Sequence, residues 1–73
     1  MDADVSSGTA LTVNGERTRV AAANLAALVG SLGHDAASVA TAVNGTFVPR
    51  TARDAYRLSD GDAVEIVTPR QGG

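Results

Sequence analysis

The sequence predicts an α+β domain, a mixed sheet with one helix packed across it, and three features predict it. Asn-Gly occurs twice, at Asn14-Gly15 and Asn44-Gly45, each time between β-prone runs. That dipeptide is the strongest short-range hairpin signal, because both positions of a type I′ turn take φ > 0. Between the two hairpins lies one segment whose apolar residues recur at helical spacing, and after Asp60-Gly61-Asp62 comes a last run that alternates as a strand does.

Residues 1–8 are polar, small and aperiodic, and read as a flexible extension ahead of a domain over 9–68. Thr9–Val13 and Glu16–Val20 flank the first Asn-Gly, with Leu11 and Val13 on the core side of the first strand at period two. Leu25, Leu28, Val29 and Leu32 then fall at i, i+3, i+4 and i+7, one face of a helix expected over 24–33, with Asn24 as its N-cap and Gly33 as the left-handed residue that ends it. Val39–Val43 reads as a central strand, paired through Asn44-Gly45 with Thr46-Phe47-Val48. Pro49 has no N–H to give a ladder, so it ends that strand or places it on an edge, and Thr51–Leu58 reads as a short irregular or helical link. Asp60-Gly61-Asp62 is a tight turn into Ala63–Val67, where Val64 and Ile66 share one face with Leu58 nearby. The order ββαββ, link, β is that of a β-grasp, or ubiquitin-like, sheet; a ferredoxin-like half or an unclassified small α+β sheet fits the same pattern.

Composition narrows the chemistry. A chain of 73 residues, 44% hydrophobic, builds one small core, worth about 3 to 5 kcal/mol net, and no deep pocket. It has no cysteine, so disulfides, thiolate metal sites and a cysteine nucleophile are excluded, and its six cations are all arginine, so lysine Schiff-base chemistry is excluded too. The net charge of −2 argues against nucleic acid or an anionic membrane as partner. The acidic start Met1-Asp2-Ala3-Asp4, with no apolar run behind it, is unlike a secretory signal, and the cytoplasm is the expected location.

Residues 69–73 form a tail without a hydrophobic anchor, and the sequence stops on Gly72-Gly73. At a glycine frequency of about 7%, chance gives that ending in about 0.5% of chains, so the alternative of a frayed end is the weaker one. Glycines suit a carboxylate that must enter another enzyme's narrow channel, since they carry no Cβ and rotate freely. Adenylation by ATP would turn the Gly73 carboxylate into an anhydride open to a sulfur nucleophile, yielding a thiocarboxylate.

Asn44-Gly45-x-x-Val48-Pro49-Arg50, then Leu58-x-Asp60-Gly61-Asp62-x-Val64-Glu65-Ile66-Val67, then Gly72-Gly73 resemble the ThiS family of sulfur carriers in thiamin biosynthesis. The resemblance runs over about 9–73 and takes in the Asn14-Gly15 hairpin and Leu25-x-x-Leu28-Val29-x-x-Leu32-Gly33. Each piece is weak alone, and the combination is specific. It implies a β-grasp carrier, a cosubstrate rather than an enzyme. Its Gly73 carboxylate would be adenylated with ATP by a ThiF-like enzyme, thiocarboxylated with sulfur from a cysteine desulfurase, and passed to a ThiG-like thiazole synthase. Gly72 and Gln71 would give the tail its access to partner channels, Arg70 and Phe47 are candidates for docking, no cofactor would be bound permanently, and the free carrier would be a monomer. Other outlets for the same chemistry are a molybdopterin synthase small subunit, or a carrier for cysteine or a sulfur-containing natural product. A different class is a ubiquitin-like modifier or interaction module. The extension 1–8 and Arg70, where several relatives carry smaller or apolar residues, depart from the family's pattern.

The remaining polar residues have plain readings. His34, the only histidine, follows the helix end and faces its dipole or solvent, and no metal site is expected. Arg50, Arg53 and Arg57 read as a solvated face, with a basic strip for an acidic partner as the alternative. Asp60 and Asp62 are turn residues, not a carboxylate pair for catalysis.

Overall fold

The computed structural model describes residues 8–68. The first hairpin joins β1 (Thr9–Val13) to β2 (Glu16–Val20), and the second joins β3 (Ala40–Val43) to β4 (Thr46–Val48). Asn14 and Asn44 both have φ of 52°, with Gly15 at 86° and Gly45 at 84°, which is the pair of positive φ values that a two-residue hairpin turn requires. Between the hairpins runs α1 (Leu25–Ser31), and β5 (Ala63–Val67) is the last strand of the described residues. The five strands form one sheet in the order β2-β1-β5-β3-β4, so the last strand is the central one, parallel to β1 and antiparallel to β3. This is the β-grasp arrangement.

The helix begins and ends as its caps dictate. Asn24 Oδ1 accepts from the Ala27 N–H at 2.8 Å, and the first two helical N–H groups, those of Leu25 and Ala26, donate to the carbonyls of Tyr56 and Arg53. The link after β4 thus satisfies donors that a helix leaves unpaired at its start. At the other end the Gly33 N–H donates to Gly30 O and the His34 N–H to Val29 O, a Schellman closure made possible by Gly33 at φ of 83°. Leu25, Leu28 and Val29 are fully buried against Leu11, Val43, Val48, Val64 and Ile66.

The structure corrects the expectation at three places. Leu32, expected in the buried stripe, is 46% exposed: the helix stops at Ser31, and Leu32 is its C-cap with φ −87° and ψ 1°, where the chain turns off the sheet. The strand expected over Val39–Val43 starts at Ala40, with Val39 buried just ahead of it. Arg53, expected on a solvated face with Arg50 and Arg57, is only 3% exposed. Its guanidinium donates to Thr41 Oγ1, Ala36 O and Val39 O at 3.0, 3.0 and 2.7 Å, and Thr41 in turn donates to Val48 O. Buried charge is tolerated where every donor finds an acceptor, and here the cation ties the link, the turn before β3 and the sheet together. Arg50 and Arg57 are exposed as expected.

Candidate functional site

The residues expected to carry chemistry, Gly73, Gly72, Gln71 and Arg70, lie outside the described residues, as does most of the extension 1–8. What the structure places is the strand that leads to them. β5 is held on both sides up to Val67. On the β3 side it pairs over four registers, from Val43 opposite Val64 to Ala40 opposite Val67. On the β1 side regular pairing covers only Thr12 opposite Ala63 and Val13 opposite Val64.

Beyond that point the turn asparagine takes over. Asn14 Oδ1 accepts from the Ile66 N–H at 2.8 Å and its Nδ2 donates to Ile66 O at 3.1 Å, so a side-chain amide replaces the next rung of the ladder. Asn44 acts alike at the strand's start: its Oδ1 accepts from the Ala63 N–H and its Nδ2 donates to Asp62 Oδ1. Both hairpin turns therefore clamp β5, a role that the Asn-Gly signal did not reveal. Asp60 and Asp62 are turn residues as expected. Asp60 Oδ1 accepts from the Ala10 N–H and Asp62 Oδ2 from the Ser59 N–H.

Alternation along the paired strands sorts side chains to two faces. Leu11, Val43, Val48, Val64 and Ile66 face the helix. On the opposite, open face the registers bring together Phe47 beside Ala42, Ala42 beside Glu65, and Ala40 beside Val67. Phe47 is 64% exposed and Val67 58%, two strands and one row apart on this face, with Ala40, Ala42 and the exposed Glu65 between them. Phe47 is the docking candidate expected from the sequence, and Val67, which alternates with inward Ile66, joins it on the outward side. Farther along the same face, Arg17 and Arg19 of β2 stand opposite Thr12 and Ala10.

Chemically the described surface is bland. Among the described residues no group of three or more His, Cys, Asp or Glu side chains gathers to hold a metal, and no helix is long and apolar enough to cross a membrane. His34 is half-buried at the helix end. Asp35 is held below the ordinary carboxylate value, by the Ala37 N–H first, then the Ser38 hydroxyl and, more weakly, the Arg50 charge; it caps a 3₁₀ turn over Ala36–Ser38.

Comparison with known proteins agrees with this architecture. A model of the ThiS family matches residues 9–73. A crystal structure of the thiamine biosynthesis protein ThiS from Geobacter metallireducens superposes with a TM-score of 0.75 at 38% identity, covering 89% of this chain and all of that one. A solution NMR structure of a thiamine biosynthesis protein from the same organism gives 0.74 at 38% identity, covering 89% and 88%. No curated protein matches. By the family match across nearly its whole length and the shared fold, the chain belongs to the ThiS family, small sulfur carriers rather than catalysts.

Proposed function

We propose that this protein carries sulfur for thiazole formation in thiamin biosynthesis, on the carboxylate of Gly73. The observation that carries the reading is the family match, which runs through Gly72-Gly73, on a fold whose central strand β5 leads directly to that end. A carboxylate oxygen of Gly73 attacks the α-phosphorus of ATP in a ThiF-like adenylating enzyme, and pyrophosphate leaves. The outer sulfur of a persulfide supplied by a cysteine desulfurase then attacks the acyl carbon, AMP leaves with the electron pair of the carbon–oxygen bond, and a thiol attacks the inner sulfur of the resulting acyl disulfide, forming a disulfide and releasing the thiocarboxylate. A ThiG-like thiazole synthase takes the sulfur, in the cytoplasm where ATP and these enzymes meet.

The carrier's own residues position rather than react. Gly72 and Gln71 let the end reach a buried reaction centre without a bulky branch, and the open face with Phe47 and Val67, both exposed, is the docking surface, an apolar patch of the kind partners cover. Arg70 adds a charge beside the reactive end. Intact-protein mass spectrometry after incubation with ATP, a ThiF-like enzyme and a sulfide source tests the chemistry. Exchange of one oxygen for sulfur, a gain of about 16 Da confined to the C-terminal peptide, is the expected product of the acyl substitution. No shift, with the enzyme active on another carrier, reduces the tail to a linker.

A further inference from the structure

We propose that Asn44-Gly45 is a site of spontaneous covalent modification: the clamp that Asn44 makes on β5 holds its amide back from succinimide formation, and deamidation once the clamp opens leaves a carboxylate that cannot re-form it. The inference rests on the fold and goes beyond the carrier reading.

The triplet Val-Asn-Gly occurs twice, at Val13-Asn14-Gly15 and Val43-Asn44-Gly45. Glycine after asparagine leaves the following nitrogen unshielded, since no Cβ stands beside it, and the space beside Gly15 and Gly45 is open for 4 Å. The reaction needs only water. The Gly45 nitrogen gives its proton to solvent and attacks the side-chain carbonyl carbon of Asn44, forming a new carbon–nitrogen bond. The amide nitrogen takes up a proton and leaves as ammonia with the electron pair of its own bond, and a five-membered imide remains. Water then adds to one of the two imide carbonyls, and the ring carbon–nitrogen bond opens as its nitrogen recovers a proton. Aspartate or isoaspartate now stands at position 44.

Ring closure swings the side-chain carbonyl over the Gly45 nitrogen, and the fold opposes that motion. Asn44 Oδ1 accepts from the Ala63 N–H at 2.9 Å, its Nδ2 donates to Asp62 Oδ1 at 3.0 Å, and its backbone N–H donates to Ala63 O. Neither end of the amide turns without breaking a bond. Asn14 is held alike, its backbone N–H on Val64 O and its amide on both polar groups of Ile66. The two triplets thus share their local chemistry and differ in their guards. The amide bonds of Asn14 go to the backbone of the central strand and are partly buried. Those of Asn44 are exposed, and one ends on the side chain of a turn residue. Local opening is easiest where hydrogen bonds meet solvent, so Asn44 is the site that reacts.

The product cannot restore the clamp. A carboxylate has no N–H to give Asp62 and sets like charge against its Oδ1. Isoaspartate also adds a main-chain atom to a two-residue turn. An opening that is reversible in the intact chain becomes permanent where β5 begins.

The test is peptide mapping by mass spectrometry, following the gain of about 1 Da that deamidation brings at each triplet during incubation in mildly alkaline buffer, with and without denaturing urea. In urea the two triplets should react at the same rate. In the native protein both should be slower, with Asn44 about fivefold faster than Asn14. Asp62→Ala removes one guard and should speed Asn44 about tenfold, as for loss of a hydrogen bond to a charged acceptor, with Asn14 unchanged within about twofold. The product mimic Asn44→Asp should have a lower urea midpoint than the wild type. Asp62 also accepts from the Ser59 N–H, so folding of the Ala variant is checked by NMR. If that variant does not fold, the native ratio of the two sites in the wild type decides, and a ratio of one or below overturns the proposal. So do an Asn44 rate indifferent to Asp62→Ala, a parallel rise at Asn14, which makes global unfolding the route, and native rates equal to those in urea. An Asn44→Asp midpoint equal to that of the wild type overturns the permanence of the opening.

Discussion

Asn14 combines two requirements in one side chain. Its backbone sits at φ of 52°, where residues with a Cβ are strained and asparagine is among the least so, and its amide makes two bonds to Ile66. The two contributions separate by substitution. Asn14→Gly keeps the turn and loses the bonds, an expected loss of about 1 to 2 kcal/mol at about 0.5 to 1.5 per bond, partly offset by relief of strain. Asn14→Ala loses both, and should be about 1 kcal/mol worse than the glycine variant. Urea denaturation of the pair measures the gap; equal stabilities would mean that the turn is not strained. Asp35 supplies a pH counterpart. Contacts from Ala37, Ser38 and Arg50 lower its pKa from the ordinary 3.8, so the stability they contribute is fully present above the unfolded carboxylate value and is lost as pH falls through the folded one. An NMR titration should place the Asp35 midpoint below 3.8, and Asp35→Asn should flatten the acid limb of stability in that range. A midpoint at the ordinary value would show that the turn is not formed in solution.

The elements differ in how far local signals determine them. Both hairpins and the final strand follow from Asn-Gly and from alternation, since these features act within a few residues. The order β2-β1-β5-β3-β4 does not, because pairing of β1 with β5 joins residues some fifty positions apart. Arg53 was illegible for the same reason: nothing near it in sequence announces that Val39 and Ala36 carbonyls will meet its guanidinium. For the site, Phe47 could be read from sequence, whereas the clamping of β5 by Asn14 and Asn44 depends on long-range register. Within α1 the periodic stripe overreached by one residue, and this yields a sharp comparison. Leu28 is fully buried and Leu32 nearly half exposed. Leu28→Ala should cost about 3 to 5 kcal/mol, close to the whole stability of a domain this size, and leave the chain largely unfolded at 25 °C. Leu32→Ala should cost less than about 1 kcal/mol. Circular dichroism melts of the two variants check this, and similar losses at both positions would mean that the helix runs past its Schellman closure.

At the scale of the molecule, the two faces of one sheet divide stability from recognition. The helix side holds the buried cluster of Leu11, Val43, Val64 and Ile66, while the other side presents Phe47 and Val67 to solvent. The central position of β5 connects the two, since Ile66 packs inward from the same strand that carries Val67 outward and runs on toward Gly73. A substitution on the open face should therefore change docking and leave folding intact. Phe47 is 64% exposed, so Phe47→Ala should alter the unfolding free energy by less than about 0.5 kcal/mol. An aromatic anchor at an interface is worth at least about 1 to 2 kcal/mol of association, which predicts an apparent KM for the adenylating enzyme raised about 5- to 30-fold with kcat retained. Deleting Gly72 and Gly73 should do the reverse, abolishing thiocarboxylate formation while the truncated chain still docks and competes with the intact carrier. Equilibrium unfolding, KM and competition measured on the same three proteins decide the matter. If Phe47→Ala leaves KM unchanged while the truncated chain fails to compete, recognition resides in the tail and the open face is only the solvated back of the sheet.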